Sequence, residues 1–427
     1  MLTIFLGVLF ACLFTYLPVA FCLLVAGLVL MQMTTGSIIP AQVAQHMVRG
    51  VDSFPLMAIP FFCLAGELMN VGGISVRIVR FAKAFLGHVK GGLGYVTTVA
   101  SMLFAGISGS AIADTTAIGS ILLPIMEEEG YEKDEATALI IASGTIGPVI
   151  PPSMPMIIYG VIASVSVAKL FMGGIIPGIL VGVGLMIVWT IRTRRRADIY
   201  RKGKKATWKE RIQATKSAIW AIILPFVILG GVLSGVFTAT EAGVVAVVYA
   251  VLVGFFGYKE LKLKHIIPIL QETAKSTASV MFVVGAATLA AYYITTAQIP
   301  AQLTHSLLSI STNPYVIMLL INILLLLVGC VMDLTPALLI LAPILIPIVT
   351  SLGLSPIYFG VVMVCNLCIG IITPPVGTVL YVGCGLSKLS IAEVVKPSLP
   401  YIAVMVIVLF IITYCPGLIM YIPNLLG

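Results

Sequence analysis

An all-α polytopic membrane protein with a duplicated body is the fold class this sequence predicts, on three observations. Sixty per cent of its 427 residues are hydrophobic and 9 per cent are charged, where a soluble domain carries about 25 per cent charged residues. Mean hydropathy is +1.16. Gly and Pro landmarks recur at one fixed spacing, and two Pro-Pro doublets stand at matching places in the two halves. So apolar a chain cannot hide its surface from water, which excludes a soluble enzyme, a disordered protein and a nucleic-acid binder.

The first acidic or basic side chain is Arg49. Residues 2–32 form one apolar stretch, longer than the roughly 20 residues a spanning helix needs. It is too long for the core of a secretory signal and lacks a basic start, so it reads as mature protein. Further apolar stretches lie at 54–70, 92–105, 137–163, 169–190, 217–236, 240–257, 272–295, 314–330, 356–372, 374–386 and 399–420. They predict roughly ten to twelve crossings. Segments 74–90 and 298–310 are amphipathic and suit the interface.

Net charge is +8, but its distribution argues against an acidic partner. Residues 192–216 hold eleven of the 24 Lys and Arg and two acids, so this segment alone carries +9 and the remainder sums to −1. One short basic loop between apolar stretches belongs in the cytoplasm by the positive-inside rule, within reach of anionic headgroups of the bilayer. Cys365 and Cys368 form a C-x-x-C inside an apolar run. No further ligand stands near them in sequence, so they read as small packing residues.

Shifting the chain by 223 residues aligns Gly106 with Gly329, Pro124 with Pro347, Gly130 with Gly353, Gly147 with Gly370, Pro151 and Pro152 with Pro374 and Pro375, and Gly160 with Gly383. The coincidences need no gap. The first half then spans 1–190, the basic cytoplasmic loop 191–216 and the second half 217–427. Each half carries a polar-interrupted apolar segment, 106–126 and 329–348, suited to a re-entrant hairpin. Irregular backbone at that depth survives only where protein or a water cavity satisfies it. Each half also carries a helix, 137–163 and 356–386, interrupted by its Pro-Pro doublet. Proline lacks an N–H and disfavours helix in the residue before it. The half-helix before such a break leaves free carbonyls for a cation, and the one after it presents N–H groups to an anion. Duplicated halves with broken helices point to a secondary transporter.

Four acids stand in apolar context: Glu67, Asp114, Glu241 and Asp333. A carboxylate at mid-bilayer costs about 2.5–3.5 kcal/mol on insertion scales, so such residues mark function. Asp114 and Asp333 fall in the hairpins, as parts of cation or substrate sites or as turn caps. Glu241 follows Thr238 and Thr240 and reads as a helix cap. Glu67 has no assigned role. Two motifs bear on an enzyme reading. Gly106-Ile107-Ser108-Gly109 is a G-x-S-G, but a serine nucleophile needs a base, and the four histidines (His46, His88, His265 and His305) lie in connecting segments. The sequence around both aspartates lacks the G-x-G-D of intramembrane aspartyl proteases. The chain is therefore not read as an enzyme.

The motifs GISGSAIADTTAIG (106–119), GPVIPPS (147–153), PFVILGGVLSGVFTATEAG (225–243) and GIITPPVGT (370–378) resemble the large membrane subunit of tripartite ATP-independent periplasmic (TRAP) transporters, over essentially the whole chain. The resemblance implies an inverted repeat with two re-entrant hairpins and two broken helices, divided into a scaffold and an elevator-type transport domain. It implies a bacterial inner membrane location and Na⁺-driven import of an organic acid, of the sialic acid or C4-dicarboxylate type. It also implies two partners: a small four-helix membrane subunit and a periplasmic substrate-binding protein. A separate small-subunit chain is expected, because no four extra spans precede residue 54. A stand-alone Na⁺/anion symporter of the same fold is the alternative.

Carried over by position, the resemblance places one Na⁺ at Ser108 and the carbonyls of Gly147, Ile150 and Pro152. The second would lie at Val331 or Asp333 with Gly370, Thr373 and Pro375. Val331 departs from the pattern, since only its carbonyl is able to ligate. Ser110, Asp114, Thr115, Thr116, Ser153, Thr335 and Thr378 would line the anion pocket, with Asp114 holding cation charge rather than touching a carboxylate. Two Na⁺ with one monovalent anion would carry one net charge inward, gaining about 2.3 kcal/mol per 100 mV.

Overall fold

The computed structural model describes residues 1–15, 17–196, 200, 203 and 205–426, with the side chains of Leu2 and 305–310 left aside. The first half runs α1 (Leu2–Phe14), α2 (Val19–Thr35), α3 (Pro40–Val51), α4 (Ala58–Val71), α5 (Ile74–Leu86), α6 (Gly92–Ser108), α7 (Ala111–Glu128), α8 (Lys133–Gly144), α9 (Met154–Ala163) and α10 (Val167–Arg195). The second runs α11 (Trp208–Leu233), α12 (Ala239–Leu252), α13 (Leu263–Thr296), α14 (Ile299–Ile310), α15 (Pro314–Gly329), α16 (Leu334–Ser351), α17 (Pro356–Gly370), α18 (Thr378–Ser387), α19 (Ile391–Tyr414) and α20 (Pro416–Leu426).

The 223-residue shift carries α7 onto the bounds of α16 and the first residue of α8 onto that of α17. It brings α6, α9 and α10 within two residues of the starts of α15, α18 and α19. The packing repeats as well, with partners exchanged. Helix α2 packs on α13 and α12 on α4; α9 packs on α16 and α18 on α7; α8 packs on α19 and α17 on α10. Reciprocal pairing of this kind is the signature of a twofold relation between two like bodies.

Two features make that relation an inversion. Hairpin α6–α7 and hairpin α15–α16 meet at their tips, yet no arm of one packs along an arm of the other. The open end of the first hairpin lies among Lys83, Lys133, Arg192 and Arg196, paired with Glu129, Glu127, Glu135 and Glu132. No Lys or Arg occurs from 276 to 387, a stretch that contains the whole second hairpin. By the positive-inside rule the two hairpins enter from opposite faces.

Several boundaries differ from the sequence reading. The stretch 2–32 is two helices, because Pro18 stops α1 and precedes α2. Segments 106–126 and 329–348 are each a tip with its second arm; the first arms are α6 and α15, whose unbroken apolar sequence looks like a span. The segment 191–216 is helical at both ends, since α10 runs to Arg195 and α11 starts at Trp208, and its residues 197–199, 201, 202 and 204 lie outside the described set. Among the described residues, seven helical segments are long and apolar enough to cross a bilayer. One of the seven is α16, itself a hairpin arm, and the shorter apolar helices, α1 and α2 among them, fall outside that number, whereas the expected ten to twelve counted apolar stretches whatever their length. Glu241 is a cap, as expected: Thr238 N–H donates to its Oε2 at 2.8 Å, and its own N–H donates to Thr238 Oγ1 at 3.3 Å.

Candidate functional site

Each hairpin tip docks on the broken helix of its own half. In the first, Ser108 ends α6 and Gly109 turns the chain at φ +63, where L side chains are strained. A Cβ on Gly109 would strike the Pro152 carbonyl oxygen and reach 3.3 Å from Met154 N, so this tip is pressed into the 145–153 break. In the second, a Cβ on Gly370 would lie 2.5 Å from Gly329 Cα, and Val376 N–H donates to Cys330 O at 3.0 Å. Both Pro-Pro peptides, 151–152 and 374–375, are cis.

The acids take different places. Asp114, fully buried in the first turn of α7, accepts a hydrogen bond from Ser108 Oγ at Oδ1. Its Oδ2 has no hydrogen-bond partner and faces Gly147, where a Cβ would collide with it. Among the described residues, the carbonyls of Gly147, Ile150 and Pro152 accept no hydrogen bond either. Hydroxyl, carboxylate and free carbonyl oxygens form the all-oxygen donor set that a hard cation takes. Asp333 sits at the N-cap position of α16 and accepts from Thr378 Oγ1 at 2.8 Å. This second site is more open. Pro152 is buried while Pro375 is exposed, Val331 is 43 % exposed, Thr373 Oγ1 donates to Ile369 O at 2.7 Å, and Gly370 O is already taken by Thr373 N–H at 2.9 Å.

Between the tips lies a cavity of about 480 Å³. Ser108, Ser110, Thr116, Asp333 and Thr335 line it. Asp114, Thr115, Ser153 and Thr378 lie off its wall. Thr115 is buried against Gly144. Ser153 is fully buried, donates from Oγ to Pro148 O and caps α9 through Met156 N–H at 3.3 Å. The N-terminal ends of α7 and α16 both reach the wall, with Ser110 as N-cap of the first. Their N–H groups and dipoles favour an anion.

The opposite wall holds Glu67, which the sequence singles out without a role, beside residues it does not single out. Glu67 and Asn70 of α4 face in, with Glu272, Thr273, Ser276 and Ser279 of α13. The i, i+4, i+7 spacing of 63, 67, 70 and of 272, 276, 279 is the signal that would have found these faces. Among the described residues, three carboxylates line the cavity and no Lys, Arg or His does. An anion therefore meets favourable charge there only from helix termini and from cations. Ser108 of the G-x-S-G motif ends α6 at the hairpin tip with its hydroxyl on Asp114, and no histidine lines the cavity among the described residues.

The chain matches the family model described as the tripartite ATP-independent periplasmic transporter, DctM component, over residues 6–418. A putative TRAP transporter large permease of Haemophilus influenzae is 45% identical over 98% of this chain and 97% of its own length. The large permease of the 2,3-diketo-L-gulonate TRAP transporter of Escherichia coli K12 is 44% identical over 97% of each. The sialic acid large permease of Vibrio cholerae is 39% identical over 97% of this chain and 96% of its own. These relatives are transport permeases, not enzymes. In fold, the chain resembles the YdaH transporter of Alcanivorax borkumensis, with a TM-score of 0.67 at 15% identity, over 88% of this chain and 87% of that one. Matched from end to end by family model and relatives, this multi-pass membrane protein belongs to the DctM component family of tripartite ATP-independent periplasmic transporters.

Proposed function

We propose that this chain is the Na⁺-coupled permease of an organic-acid importer in the bacterial inner membrane. It receives its substrate from a periplasmic binding protein and works with a small membrane subunit on a separate chain. The observation that carries the proposal is the buried Asp114 oxygen left unpaired beside Ser108 and Gly147. A buried carboxylate without a partner is expensive, and a cation relieves it. Na⁺ bound behind each tip would join tip to break and offset the carboxylates of the cavity. The substrate carboxylate would then rest on the N-terminal ends of α7 and α16, near Ser110, Thr116 and Thr335.

Movement is of the elevator type: the two hairpins and broken helices travel as one body along the α4 and α13 wall. The support is the grouping of contacts, in which hairpins and broken helices pack on one another (α7 on α8 and α18, α16 on α9 and α17) while α2, α3 and α4 hold α12 and α13. The substrate is an organic acid, and the relatives' names span a keto sugar acid and sialic acid. Reconstituted with binding protein and small subunit, the chain should take up organic acid only along a Na⁺ gradient. Ser108→Ala and Asp333→Ala should each raise the Na⁺ needed for half-maximal uptake. Unchanged Na⁺ dependence in both removes the cation assignment. Uptake by this chain alone would favour the stand-alone symporter.

A further inference from the structure

The inverted repeat supplies a second cavity, of about 580 Å³, on the other side of the hairpin tips. Part of its wall, Arg49, Gly50, Ser53, Leu56 and Leu339, is the 223-shifted counterpart of residues lining the first. Where Glu272 and Ser276 of α13 line the first cavity, Arg49 and Ser53 line the second; where Thr116 of α7 lines the first, Leu339 of α16 lines the second. The fold is shared and the charge is reversed. The cavity beside the basic cytoplasmic ends carries three carboxylates, and its mate carries Arg49 and His46 and no acid.

Arg49 is exposed and makes no ion pair or hydrogen bond among the described residues. Asp52, three residues on, does not line the cavity and is not bridged to it. His46 lies against the Tyr292 ring, centroids 4.0 Å apart. Burial, and then the Arg49 charge, hold its pKa below the ordinary histidine value. Among the described lining residues Arg49 is the one Lys, Arg, Asp or Glu, and Ser53, Thr288, Tyr292 and Thr295 line the cavity with it. A planar guanidinium fork pairs bidentately with a carboxylate.

We infer that Arg49 forms an outer capture subsite for the carboxylate of the organic acid, between its release from the binding protein and its arrival at the hairpin tips. This inference rests on the import reading above. The same position on the inner side, Glu272, repels the anion and attracts the departing cation. The two mouths of one symmetric fold are therefore polarised for inward anion flow.

The test uses proteoliposomes holding this chain and its small subunit, driven by a Na⁺ gradient and supplied with loaded binding protein. Arg49→Gln should lower the maximal uptake rate about tenfold, as loss of a charge-assisted pair does, and Arg49→Glu should lower it further. The binding-protein concentration for half-maximal rate and the Na⁺ dependence should stay at wild-type values. Raising ionic strength with choline chloride at constant Na⁺ should narrow the gap between wild type and Arg49→Gln, which a merely structural role would not do. An unchanged maximal rate overturns the subsite. So does a raised half-maximal binding-protein concentration, which would make Arg49 a docking contact, and so does a gap indifferent to ionic strength. Absence of Na⁺-driven uptake in the wild type would instead sink the import reading itself.

Discussion

Thr378 donates its hydroxyl to Asp333 Oδ1 across 2.8 Å, which ties the tip of the second hairpin to the half-helix beyond the Pro-Pro break. With the Val376 N–H bond to Cys330 O, it joins the two interrupted elements of that half. A hydrogen bond to a charged group contributes about 1.5–3 kcal/mol. Thr378→Val should therefore raise the Na⁺ concentration for half-maximal uptake by about tenfold. Na⁺ titration of uptake checks this, and Thr378→Ser should stay near wild type.

Two glycines serve as contact surfaces. Gly147→Ala places a methyl against Asp114 Oδ2, and Gly370→Ala brings one to 2.5 Å from the Gly329 backbone. Both variants should insert normally and lose uptake, because the tip no longer seats on its break. Gly385 of α18 has nothing within 4 Å of such a methyl. Gly385→Ala should keep wild-type uptake and change stability by less than about 0.5 kcal/mol. Equal uptake in all three variants would falsify the docking geometry.

The capping box of α12 stabilises without transporting. Thr238 and Glu241 satisfy each other's backbone N–H groups at an exposed helix start. Thr238→Ala should cost about 1 kcal/mol of stability, the usual worth of an N-cap. Its Na⁺ dependence should be untouched. Thermal unfolding in detergent, read beside uptake, separates the two effects.

Arg192 of α10 pairs with Glu135 of α8, with side-chain exposures of 18% and 10%. Removing one partner strands the other's charge. Arg192→Leu alone should destabilise by about 2 kcal/mol, somewhat less than a fully buried pair loses. The double variant Arg192→Leu with Glu135→Leu should recover most of that loss. Recovery in the double variant, measured as a mutant cycle, is the decisive reading.

Much of this fold was legible before any coordinates. Membrane residence followed from composition. The duplication, its 223-residue period and both helix breaks followed from Gly and Pro, which act on their own backbone and their nearest neighbours. The first hairpin arms, α6 and α15, were not legible, because an apolar arm and an apolar span have the same composition. Nor was the direction each polar group faces. Ser153 and Ser110 are both serines preceding a helix, yet one is sealed beneath the break and the other borders the cavity.

Sequence alone thus determined where this chain breaks, repeats and places its few charges, since those signals are local. Only the tertiary structure decided that Asp114 lies against Gly147, that α4 and α13 supply the far wall with Glu67 and Glu272, and that Arg49 and Glu272 occupy mirrored mouths. Those relations join segments far apart in the chain, and packing between them, which no local periodicity encodes, sets which face of each helix meets water.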